Sequence, residues 1–108
     1  MAANPLPRNP LVELPVVMVD ASAGGDVYVY RNQIIEWQNH TSNQVPIAVH
    51  PNATGEYPLN VNAFSVPKEP AVGPVGTFLS RVLPNATFTG YLYTNSLAEG
   101  GGKIIVTP

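Results

Sequence analysis

Residues 27–39, VYVYRNQIIEWQN, constrain the fold more than any other stretch. Two runs of alternating apolar residues, 27–30 and 34–38, flank the polar break Arg31-Asn32-Gln33. Period-two alternation rich in β-branched and aromatic side chains, broken by an Asn-containing turn, predicts two short strands joined by a tight reversal. The single Trp sits in the second run, and a ring of that size on a strand belongs to the main core.

The rest of the chain repeats this pattern in short pieces. Residues 1–10 hold Pro5, Pro7 and Pro10 and read as an extended lead-in, because proline lacks the amide proton that a helix or central strand uses. Residues 11–108 read as one domain. Within residues 11–19, the run 16–19 is the first strand, followed by the small polar loop 20–26 with its paired glycines. Further strands are expected at 45–50, 62–66 as a short edge strand, 77–83, 87–95 and 103–107. The three prolines of residues 67–74 make that stretch irregular, and Tyr91 and Tyr93 fall on one face of their strand with Leu92 on the other. No segment offers helical apolar spacing free of Pro or Gly. About eight short strands at regular spacing predict an all-β fold, a Greek-key sandwich of seven or eight strands. The expected core is Ile35, Trp37, Ile47, Val49, Tyr91, Tyr93, Ile104 and Val106.

Several function classes are excluded by what the chain lacks. Its 108 residues are 44% hydrophobic and 11% charged, enough for one core. Arg8, Arg31, Lys68, Arg81 and Lys103 are scattered, and a formal charge of -2 leaves no basic stripe for nucleic acid. With no cysteine there is no disulfide, thiolate nucleophile or Cys-ligated metal. No apolar run reaches the ~20 residues of a transmembrane helix. No signal-peptide pattern is present, and a periplasmic or secreted chain whose leader has been removed is the expectation for location.

A family resemblance rests on four short segments. Val27-x-Val29, a three-residue turn and Ile35-x-Trp37-x-Asn39 resemble the opening of the cupredoxins, the plastocyanin-like small copper proteins. The run 87–93, a short loop and Gly102-Lys103-Ile104-Ile105-Val106 resemble that family's penultimate strand, ligand loop and closing strand. The resemblance spans most of residues 16–107, though its motifs are short. The resemblance implies a copper site at one end of the sandwich, built from two imidazoles, a thiolate and a weak axial ligand. At the positions that would supply these ligands the chain has Ile47, Asn95, Ala98 and Gly100 or Gly101, while Met18 lies in the wrong strand. The expectation is a fold without its copper, with an apolar plug at the former metal end and no bound cofactor.

The remaining candidates are few. His40 and His50 are the only imidazoles. One reading joins them, with Glu56 or Asp26, in a weak zinc or copper(II) site; the plainer one has them as a loop residue and a strand-end residue that never meet. Asp20 and Asp26 form a possible carboxylate pair, but in such a loop they more commonly bind nearby backbone amides. Ser22, Ser42, Ser65, Ser80 and Ser96 lack a nucleophile-elbow setting, so no catalytic residue is assigned and no enzyme is expected. Tyr28 and Tyr30 either face outward, as a stripe able to stack on sugars or anchor a protein, or fill the sandwich. The N-x-T triplets at Asn39, Asn52 and Asn85 fall in expected loops and matter only in a eukaryotic secretory pathway. The expected partner is an unidentified protein or glycan, or a second copy paired through edge strands.

Overall fold

The computed structural model describes residues 14–73, 75–95 and 101–108. The lead-in at residues 1–10 lies outside them. Eight strands form: β1 (Val17–Asp20), β2 (Val27–Val29), β3 (Ile34–Asn39), β4 (Val45–Val49), β5 (Ala63–Val66), β6 (Gly76–Arg81), β7 (Gly90–Thr94) and β8 (Gly102–Val106). No helix occurs among the described residues. A three-stranded sheet has the order β1-β3-β6, and a five-stranded sheet the order β2-β8-β7-β4-β5.

The pleat decides which side chains meet between the sheets. Along β3 the buried residues are Ile35, Trp37 and Asn39; along β4 they are Val45, Ile47 and Val49. Tyr91 and Tyr93 from β7 and Ile104 and Val106 from β8 complete the inner faces. Trp37 sits edge-on to Phe64 (centroids 5.5 Å apart) and Tyr93 (5.2 Å), and Phe64 stacks on Phe78 at 4.3 Å. The eight expected core residues are all buried. Alternation and core membership were therefore linked as the strand period requires.

The expected reversal forms but joins strands of different sheets, and one strand start needs correction. The reversal between β2 and β3 exists, with Asn32 left-handed at φ 70°, but the two strands do not pair. β2 lies parallel to β8 and β3 parallel to β1, so the turn passes the chain from one sheet to the other. β7 starts at Gly90 rather than residue 87. The Tyr91 hydroxyl accepts the Thr87 N–H at 3.1 Å and donates to the Thr87 carbonyl at 3.3 Å, so the chain before Gly90 turns back onto the ring. This is a tyrosine corner, in which a phenol does the work of a strand partner.

Candidate functional site

One end of the sandwich gathers the loop 21–26, the loop 40–44 and the end of β7. The sheet register brings the site together. β4 and β7 pair Ala48 with Thr94 and Val49 with Tyr93, so one step further along the same ladder sets Ile47 opposite Asn95. Both are buried, Ile47 at 2% and Asn95 at 0% exposure.

Asn95 is the hub of this end. Its Nδ2 donates to the carbonyls of Ala21 (2.9 Å) and Ser22 (3.2 Å), tying β7 to a loop more than seventy residues earlier. The neighbouring Tyr93 hydroxyl donates to Gly25 O at 2.7 Å. Burial, followed by the charges of Asp26 and Asp20, pushes the Tyr93 phenol up to about 12. Gly25 N donates to Gly101 O at 3.0 Å, and Lys103 N to Asp26 Oδ1 at 3.1 Å. The loop 21–26 is thus laced to β7 and β8 by neutral groups and one carboxylate. A second amide holds the adjoining loop. Asn39 shares its Nδ2 hydrogens among Asn43 O, Val66 O and Pro67 O, while its Oδ1 accepts from the Thr41 N–H and hydroxyl.

The buried, hydrogen-bonded state of the Asn39 and Asn95 amides was the feature of this end hardest to see. The signal is their parity: Ile35-Trp37-Asn39 and Tyr91-Tyr93-Asn95 each carry the core face one step past the last large apolar residue. An amide at such a position is buried and must find partners. The end is therefore plugged by Ile47 and a satisfied amide, not by apolar groups alone. Ala98 and Gly100 lie outside the described residues.

The other candidates fall apart in space. His40 is exposed beyond β3, with Nε2 3.3 Å from Gln38 Oε1. His50 is exposed beyond the far end of β4, its backbone N–H donating to Leu92 O at 2.8 Å. The strand between them spans roughly 16 Å at about 3.3 Å per residue. Among the described residues no three His, Cys, Asp or Glu side chains gather as metal ligands. Asp20 and Asp26 turn to backbone amides: Asp20 Oδ1 accepts from Ser22 N (3.0 Å) and Ala23 N (3.3 Å), and from the Ser22 hydroxyl at 2.6 Å. Burial raises the Asp20 carboxyl, but these bonds and the nearby His40 outweigh it and leave it below its ordinary value. A serine that donates directly to a carboxylate, with no imidazole between them, lacks the base a nucleophile needs.

Tyr28 and Tyr30 point outward, at 66% and 38% exposure, while Val27 and Val29 are buried. Of the N-x-T triplets, Asn39 ends β3 and is fully buried, contrary to the loop expected for it. Asn52 Oδ1 caps its own turn by accepting from Thr54 N and Glu56 N, and Asn85 is exposed.

A type 1 copper ion needs a thiolate and two imidazoles. The chain has no cysteine, Ile47 has no donor atom, and β4 keeps the histidines apart. The residues present do not fit that group.

No protein-family model matches the chain, and no curated protein matches it. Among solved structures it is similar to a proline-to-glycine mutant of amicyanin in its reduced Cu(I) form at pH 4, with 15% identity over 89% of this chain and 86% of that one, at a TM-score of 0.54. At that identity the likeness speaks for architecture only. Eight strands in two sheets, matched over most of both chains, make this a cupredoxin-like fold.

Proposed function

We propose that the chain is a non-catalytic, cupredoxin-like binding or structural module without a type 1 copper site, acting outside the cytoplasm. The observation that carries this reading is the Asn95 side chain. At the end of the sandwich where the family resemblance places a copper site, a fully buried amide donates to Ala21 O and Ser22 O. A hydrogen-bonded amide tying two loops together needs no ion to hold that end closed.

The competing reading is a zinc or copper(II) carrier or sensor that uses His40 and His50. A thermal-shift and visible-absorption titration of metal-stripped protein with copper(II) and zinc(II), beside the His40→Ala/His50→Ala double variant, separates the two. Whatever binds only the folded state raises its midpoint by mass action. The module reading expects the same response from both proteins. A saturable stabilisation near one equivalent that the double variant loses overturns it.

A further inference from the structure

The two sides of the sandwich are finished differently. Beside β6 the chain is covered: Asn60 N donates to Arg81 O (3.0 Å), Arg81 N to Asn60 Oδ1 (2.8 Å) and Leu83 N to Pro58 O (2.8 Å), and Leu59 bridges Val82. The opposite side is bounded by β1 and β2, each the last strand of its sheet. They run in opposite senses from the loop 21–26, and no strand among the described residues pairs with their outer edges.

Register shows which backbone groups face outward there. Ala21 N donates to Gln38 O (2.7 Å) and Thr107 N to Val29 O (2.8 Å). Backbone groups alternate sides along a strand, so odd-numbered residues in β1 and β2 bond their neighbours, while Met18 and Tyr28 turn their N–H and C=O outward. A groove of about 280 Å³ runs between the strands, lined by Met18, Val19, Asp20, Asp26, Val27 and Tyr28 among others. Met18 (67% exposed) and Tyr28 (66%) are the most exposed large apolar side chains of any described strand, one at each rim. Val17-Met18-Val19 and Val27-Tyr28-Val29 carry neither the proline nor the charged side chain that blunts an open edge. The groove's loop end holds two carboxylates, and no cation lines it.

We propose that this groove is a docking site for an extended peptide segment of a protein partner, added as a strand to the free edge of β1. Its main chain bonds the outward N–H and C=O of Met18, alternate apolar side chains pack on Met18 and Tyr28, and a Lys or Arg lies at the end nearest Asp20 and Asp26. Main-chain bonds then supply affinity, and the apolar rims and acidic end supply selectivity. This assignment rests on reading the chain as a binding module.

The test uses the full chain and a capped octapeptide of alternating valine and threonine headed by two lysines. Control peptides carry glutamates for the lysines, or N-methylated valines. Amide NMR shifts are expected to saturate and to be confined to residues 17–20 and 26–28. The N-methylated peptide fails to bind, and the glutamate peptide binds about tenfold more weakly. Met18→Pro, which removes an outward N–H, also weakens binding about tenfold; Tyr28→Lys reads the same rim should the proline variant not fold.

Absent saturation, shifts centred elsewhere, or binding indifferent to N-methylation overturns the assignment. A dimer seen in sedimentation and dissolved by Tyr28→Lys overturns it too, because the occupant is then a second copy. Metal titration reads the separate Ile47–Asn95 end. Peptide failure in a metal-indifferent protein removes the groove alone, whereas saturable metal binding removes the metal-free reading and leaves the peptide result standing.

Discussion

Trp37 has no exposed surface, and its indole N–H donates to Ser80 Oγ at 2.9 Å across the β3–β6 pair. Ser80→Ala leaves that donor buried without a partner, and urea denaturation is expected to show a loss of about 1–3 kcal/mol. Tyr93 makes the same kind of contact with Gly25 O, but it titrates. Its phenol is pushed up to about 12 in the folded chain from an ordinary value of about 10. The fold therefore holds the proton more tightly than the unfolded chain does. Stability from this group is complete below the unfolded value and is lost as pH rises through the folded one. Denaturation midpoints are expected to fall between pH 10 and pH 12, a window bounded by those two values. Tyr93→Phe removes that contribution to the slope. The aromatic body of each residue was legible from its parity on the strand. The partner of its polar tip was not, because Ser80 and Gly25 lie far away in sequence.

At the scale of elements, the loop 21–26 shows how closely two connections can be packed. Gly24 has φ +79°, and a Cβ built there lies 2.6 Å from Gly101 O. Gly24→Ala meets both a left-handed backbone and a carbonyl, and a loss of about 3 kcal/mol or more is expected on thermal unfolding. Gly55 has nearly the same φ, +84°, but nothing within 4 Å. Gly55→Ala should cost only about 1 kcal/mol, and equal losses in the two variants would contradict the close approach of the loops. Both glycines read alike in the sequence, as turn residues. Strand identity was legible from the period of two, yet pairing was not: the Arg31-Asn32-Gln33 reversal has the same chemistry whether it closes a hairpin or, as here, crosses between sheets. Phe88 fell within the strand expected at 87–95. Its ring instead lies under the Arg31 guanidinium at 4.0 Å, in the turn that the Tyr91 hydroxyl holds.

For the whole molecule, two apolar inner faces meet around Trp37 in a cupredoxin-like fold; alternation brought an all-β sandwich within reach, and the motif resemblance brought its cupredoxin-like form. What closes the two loops at the Ile47–Asn95 end is a separate matter, since an amide clasp between residues 21 and 95 leaves no local pattern. The proposed metal-free module makes that clasp structural. Its most direct test is the urea unfolding free energy of the wild-type chain and Asn95→Ala, each with chelator, with copper(II) and with zinc(II). Removing the amide leaves two carbonyls without their donor and opens a small cavity, a combined loss of about 2–4 kcal/mol. The account predicts that loss under all three conditions, with the wild-type value unmoved by either metal. Wild-type protein stabilised saturably by copper(II) or zinc(II), or an Asn95→Ala chain as stable as wild type, would contradict it.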